Sequence, residues 1–226
     1  MCGRFALSID ADALMRFIRL LGPPQLSLRF NIAPTQPVLV ATDTAQGRTA
    51  HTVRWGLIPP FMRARPPGRP LINARAESLF SKPSFREPAT QHRCLIPATG
   101  FYEWEKASHQ AWLFRPARGE LMAFAGVWQP GDPGQQIPDS AAIITTAANA
   151  TLLPVHHRMP AILAPEHFDA WLDPQRRDPH TLAPLLQPAP DGFLTATALD
   201  GAVNNIRHEG LSCWNPMPSE RQAKLF

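Results

Sequence analysis

Twenty-six of the 226 residues are proline, twice the thirteen glycines, and they are scattered through every segment instead of being massed in one linker. Proline fixes its own backbone angle and cannot donate to a helix or sheet ladder. A chain punctuated in this way is steered from long helices toward short strands joined by stiff turns. At 226 residues it can bury most of its apolar surface in one core, so a single domain over 1–226 is expected, with the last dozen residues frayed. No apolar run approaches the ~18 residues of a membrane span. The opening MCGRFALSID has no basic segment followed by an apolar stretch and cleavage site. These features lead us to expect a soluble chain that is neither secreted nor a membrane partner, and one without appended partner motifs after residue 226.

Residues 10–21 place Leu14, Phe17, Ile18 and Leu21 at helical spacing, and Gly22-Pro23-Pro24 stops the pattern. Short apolar or alternating runs follow, each bounded by Pro or Gly: PVLVAT, HTVRWGLIP, RCLIPATGFYEW, AWLFRP, LMAFAGVW, AAIITTA and RMPAILA. They read as strands. Further helices are expected over 165–172, where proline suits the first turn, and over 179–187. Because regular helices do not separate the strands, the fold class is α+β, with a mainly antiparallel, barrel-like sheet and a few short helices. Residues 62–70, 129–139 and 174–192 read as surface loops.

Charge and cysteine usage narrow the function. The basic set exceeds the acidic one by 22 to 18, and nineteen of those cations are arginine. A net charge of +4 permits a phosphate-rich partner without demanding one. Coding bias toward Arg, Ala and Pro accounts for the same numbers. Between Asp43 and Glu77, however, lie Arg48, Arg54, Arg63, Arg65, Arg69 and Arg75 with no acidic residue, interleaved with Trp55 and Phe61. Cations alternating with aromatic faces suit a nucleic-acid strand, and a solvated basic loop is the competing view. Cys2, Cys94 and Cys213 form no CxxC pair, which points to a reducing compartment and against disulfides or structural zinc.

Cys2 has the most unusual chemistry. Removal of Met1, normal when residue 2 is small, leaves an α-amine and a thiol on adjacent carbons. With unperturbed pKa values of ~7.7–8.0 and ~8.5, both are partly nucleophilic near neutrality. Thiol attack on an acyl group gives acyl transfer. Amine attack on an aldehyde gives a Schiff base that the thiol can close to a thiazolidine. Arg4 beside it can bind an anion. In Ile72–Glu77, Asn73, Arg75 and Glu77 share a face if the segment is extended. Glu103 sits between Tyr102 and Trp104 after an apolar run, where desolvation suits a carboxyl to general acid/base work, and Glu105 competes for that role. Of the adjacent His156 and His157, only one can face a given site on an extended chain, and Arg158 adds an anion-binding group. Nothing completes a metal set.

Taken together, MCGRF, RFNIAPTQ (29–36), RWGLIP (54–59), INARAES (72–78), RCLIPATGFYEW (93–104) and HHRMPAIL (156–163) resemble the SOS-response-associated peptidase (SRAP) family of abasic-site processing proteins. The resemblance implies a compact α+β domain with a basic cleft for single-stranded DNA and covalent chemistry on abasic sites. It implies that Cys2 forms the thiazolidine crosslink, that Asn73 orients it, that Glu103 is the acid/base and that His156 assists. It further implies that Arg4 holds phosphate and that Arg75 and Arg158 contact DNA; Trp55, by its place among the arginines, and Arg86 complete the expected DNA-binding set. The chain departs from the family pattern at His157, where aspartate is usual. No cofactor or metal is implied. The expected partner is single-stranded DNA containing abasic sites, and the expected setting is a monomer in the bacterial cytoplasm, associated with the nucleoid and the DNA damage response. Weak abasic-site lyase and autopeptidase activity would be side reactions. Two other classes stay open: a class II glutamine amidotransferase, which also begins Met-Cys-Gly, and a non-catalytic single-strand binder.

Overall fold

Short strands dominate the computed structural model, as the proline density requires. It describes residues 2–62 and 68–218, so Met1, Arg63, Arg65 and the last eight residues of the expected frayed tail lie outside the described residues. In chain order the strands are β1 (Phe5–Leu7), β2 (Arg29–Ile32), β3 (Pro37–Thr44), β4 (Gly47–Trp55), β5 (Asn73–Arg75), β6 (Arg93–Ala98) and β7 (Gly100–Trp104). They continue as β8 (Ala111–Pro116), β9 (Met122–Gln129), β10 (Ser140–Ala147), β11 (Arg158–Pro160), β12 (Ile162–Leu163) and β13 (Leu194–Ala198). Four short helices accompany them: α1 (Ala11–Ile18), α2 (Pro83–Gln91), α3 (Phe168–Leu172) and α4 (Pro179–Leu182).

One sheet has the order β13-β8-β7-β1-β2. In the other, β4, β3, β6, β9 and β10 pair in turn, and β10 returns to β4, closing a ring of strands. Most pairings are antiparallel; β10 runs parallel to β4 and to β5. The sheets meet through aromatic edges. Phe5 of β1 packs its ring at 5.2 Å from Trp55 and 5.9 Å from Phe124, and Phe101 lies 6.0 Å from Phe124. Such edge-to-face pairs add specificity to the apolar burial that drives the packing. The result is the single compact α+β domain expected.

Local chemistry explains where elements stop. Asp10 caps α1 by accepting from the Ala13 N–H at 2.7 Å, Leu14 and Ile18 are buried, and Arg19 ends the helix in a left-handed conformation at φ 56°, ahead of Gly22. The run RCLIPATGFYEW is two strands: β6 belongs to the ring and β7 to the other sheet, with Thr99 at the crossing. A Cβ on Gly100 would stand 2.9 Å from Leu113 Cδ1 and 3.2 Å from the Phe114 carbonyl, so a larger residue here would make Leu113 turn aside and β8 give slightly. In HTVRWGLIP the strand ends at Trp55, and Gly56 turns the chain at φ 129°.

Helix α2 was not foreseen, because Pro83 and Pro88 break any helical reading and its apolar positions are few. It is held from outside. Phe85 and Ala89 enter the core, and the buried Arg93 guanidinium donates to the Ala89 and Thr90 carbonyls at 3.0 Å each. The same side chain donates to the carbonyls of Trp171, Asp173 and Arg176, so it closes the C-terminal ends of both α2 and α3.

Candidate active site

The register of β1 against β7 brings the amino terminus to the site. Phe5 pairs with Phe101 and Ala6 with Gly100, and the Arg4 carbonyl accepts from the Tyr102 N–H at 2.9 Å. A second strand meets it from the ring: β5 pairs with β10 through Ile143 and Asn73, and the Asn73 amide donates to the Cys2 carbonyl at 3.1 Å. Asn73 and Arg75 lie on one face with Ala74 buried on the other, as expected; the extended segment ends there, and Glu77 falls in a 3-10 turn.

Burial sets the electrostatics. Cys2 is fully buried, and desolvation together with the nearby Glu103 carboxyl pushes its thiol well above the ordinary range. Burial thus opposes ionisation of the thiol in the chain that still carries Met1. Glu103 is only 4% exposed, and desolvation raises its carboxyl to about 7. Glu105 is spent differently, accepting from the Ser108 hydroxyl in the β7–β8 turn.

Glu103 opens onto a cavity of about 520 Å³ whose wall includes Trp104, Lys106, Leu153, His156 and His157. Both histidines line it, contrary to the alternation expected of an extended chain. They sit in a turn before β11, and their rings stack at 4.5 Å and 23°. Burial lowers the His156 pKa. Arg158 is nearly buried, and its guanidinium is gripped by Glu77 at 2.5 and 2.9 Å. A carboxylate thus supports this arginine although residue 157 is histidine.

The other expected contacts divide. Arg75 and Arg86 are exposed. Arg4 is an internal tie: it donates to Asn31 Oδ1 at 2.6 Å and the Val203 carbonyl at 2.9 Å, over the Trp104 ring. Trp55 is corrected. It is wholly buried against Phe5, with its indole N–H donating to the Ile72 carbonyl at 3.0 Å, and offers no face to a base. The arginine-rich stretch is not one patch either, because Arg48 is buried in ion pairs with Asp43 and Asp169. Sequence reasoning passed over Asn31, whose signal was a polar residue inside the apolar run Phe30–Ala33. Among the described residues, no group of three or more His, Cys, Asp or Glu is arranged to hold a metal, and no helix is long and apolar enough to cross a membrane. A larger apolar hollow of about 610 Å³, lined by Phe17, Leu121 and Phe193 among others, holds none of the groups named above.

Comparison with known proteins follows the same outline. A sequence profile described as SOS response associated peptidase (SRAP) matches residues 1–206. The abasic site processing protein YoqW of Bacillus subtilis (strain 168) is 35% identical over 215 residues, covering 92% of this chain and 96% of its own. The abasic site processing protein YedK of Escherichia coli (strain K12) is 28% identical over 234 residues, covering 96% and 100%. The abasic site processing protein HMCES of Gallus gallus is 27% identical over 265 residues, covering 96% and 78%. A crystal structure of a Bacteroides thetaiotaomicron protein shares the fold at a TM-score of 0.83 and 23% identity, covering 96% of this chain and all of that one.

Proposed function

The chain belongs to the SOS response associated peptidase family, and from that premise we propose that it processes abasic sites in single-stranded DNA by forming a thiazolidine crosslink through Cys2. The observation that carries the reading is the convergence of Cys2, just ahead of β1, with Asn73 of β5 and Glu103 of β7, beside a cavity lined by His156. Once Met1 is removed, the Cys2 amine attacks the C1′ aldehyde of the ring-opened sugar to give a carbinolamine. Loss of water gives the imine, with Glu103 delivering the proton that departs with the hydroxyl. The thiol then adds to the imine carbon, its proton passing to nitrogen by way of Glu103, and the five-membered ring closes. A buried thiol suits this order, because the amine acts first and the sulfur is needed only once an electrophilic imine stands beside it. A carboxyl titrating near 7 is matched to giving and taking protons at neutral pH.

In this reading Asn73 orients the Cys2 backbone, and exposed Arg75 and Arg86 take the DNA phosphates. Arg4 acts indirectly by fixing the strand that carries Cys2. Arg158 reaches phosphate only while shared with Glu77. Loss of a proton from C2′ of the imine would instead cut the strand, giving weak lyase activity. The protein acts as a monomer. Family membership favours this reading over the amidotransferase alternative, and a non-covalent single-strand binder is separated by experiment. The purified protein is incubated with an abasic single-stranded oligonucleotide and run on a denaturing gel after heating. A heat-stable shifted band, absent with Cys2→Ala, is the expected result. No band with the wild type, or an undiminished one with Cys2→Ala, overturns the proposal, and a salt-sensitive shift without a covalent product favours simple binding.

A further inference from the structure

His156 is held by Arg158 through the backbone, and Arg158 is itself held by Glu77. The Arg158 N–H donates to His156 Nδ1 at 3.0 Å. The Arg158 side chain meets Glu77 in a two-point fork, Nη1 to Oε1 and Nη2 to Oε2, and Nη2 also donates to the Thr145 carbonyl at 2.6 Å. Backbone pairing of Arg158 with Ala147 in β10 fixes the residue from the other side. An amide hydrogen has one direction, so the nitrogen it meets must present a lone pair. The Arg158 carbonyl also lies 3.1 Å from Nδ1, yet it can accept only from a protonated Nδ1, whose hydrogen would collide with the amide hydrogen. The stacked His157 ring keeps the imidazole plane in place.

We propose that the Glu77–Arg158 pair is a positioning device that fixes His156 in the Nε2–H tautomer, so that the neutral imidazole serves the reaction as a hydrogen-bond donor and not as a base. The donor role rests on the proposed crosslinking reaction; the tautomer does not. In ring opening, the C1′–O4′ bond breaks, Glu103 takes the C1′ hydroxyl proton and returns it to O4′, and His156 Nε2–H steadies the charge developing on O4′ while keeping its own proton. A neutral imidazole donor of this kind avoids placing a second cation beside the Cys2 amine, which must stay unprotonated to attack.

Two measurements decide the matter. Long-range ¹H–¹⁵N correlation spectra of the ¹⁵N-labelled protein without DNA, with His156 identified by the signals lost in His156→Ala, read the tautomer directly. The Nε2–H pattern is expected, and an Nδ1–H pattern overturns the proposal. Glu77→Gln, which weakens the fork at an exposed carboxylate, is expected to mix the tautomers and slow crosslinking about tenfold. Its unfolding midpoint should stay near wild type, and Glu77→Asp should recover part of the rate. A Glu77→Gln protein with wild-type tautomer and wild-type rate denies Glu77 its role. Since the spectra need no DNA, they decide the tautomer even if the crosslinking reaction itself fails.

Discussion

The Asn73 side chain donates to the Cys2 carbonyl across 3.1 Å, tying the first described residue to a strand 71 positions further along the chain. Few restraints act on a chain end, which ordinarily frays unless tied down. Here β1 enters a sheet between β7 and β2, and Asn73 fixes the residue before the strand begins.

Asn73→Ala should therefore slow crosslinking without weakening DNA binding to match. A neutral hydrogen bond is worth about 0.5–1.5 kcal/mol, so a loss of roughly threefold to tenfold in rate is expected. Single-turnover gel assays measure the rate, and fluorescence anisotropy with an intact oligonucleotide measures affinity. An equal loss in both would mean that Asn73 shapes the DNA surface and not Cys2.

Glu103 gives a prediction in which stability and activity move in opposite directions. Its carboxyl has an ordinary value of 4.5 and is raised by burial to about 7 in the fold. Between those values the folded state holds the extra proton, so stability is highest below the unfolded value and falls as pH rises through the folded one. The loss is on the order of a few kcal/mol. Glu103→Gln should flatten this part of the stability curve and make the variant gain on wild type toward pH 8. Crosslinking should fall by about 10²-fold or more while DNA affinity holds. Urea titrations at pH 5 and pH 8 with both proteins check the first half. A variant with the wild-type slope would show that another group causes it.

Much of this site was legible in the sequence because its members have unusual chemistry: a cysteine at position 2, a carboxylate between two aromatic residues, and an amide and a guanidinium at strand spacing. Strand positions were legible for a simpler reason, since prolines and glycines bound the apolar runs. What was not legible depends on contacts far apart in sequence. Trp55 looked like a stacking residue beside arginines, and only the closing of the ring against Phe5 shows it to be core. His156 and His157 were read as alternating because no local signal told of the turn that stacks them. Helix α2 opposes its own prolines, and its stability comes from residues outside it.

Arg93 tests that last statement. Its buried guanidinium meets five main-chain carbonyls, from Ala89, Thr90, Trp171, Asp173 and Arg176, and desolvation lowers its pKa to about 10. Arg93→Met keeps much of the volume and strands those acceptors at the ends of α2 and α3. A loss of about 3–5 kcal/mol is expected in urea unfolding. Hydrogen exchange should rise first over residues 83–91 and 168–173. Loss below about 1 kcal/mol would show that α2 stands without the arginine.

Arg75 and Trp55 separate electrostatic contact from packing. Arg75 is exposed at the end of β5, in register with Thr145, two residues from Asn73 on the same face. A guanidinium there that neutralises one phosphate releases condensed counterion, and on single strands each such contact contributes about 0.7 to the slope of log affinity against log salt. Arg75→Ala should lower that slope by about this amount and weaken binding most at low salt, with the unfolding midpoint unchanged. Trp55→Phe should do the reverse. It removes the indole donor to Ile72 and leaves a gap beside Phe5, costing about 1–3 kcal/mol of stability, and it should leave the salt slope alone because the ring has no exposed face. Affinity measured from 50 to 300 mM salt for both variants distinguishes the two roles. An Arg75→Ala protein with the wild-type slope would remove Arg75 from the DNA-contacting surface, and a shallower slope in folded Trp55→Phe would return the tryptophan to it.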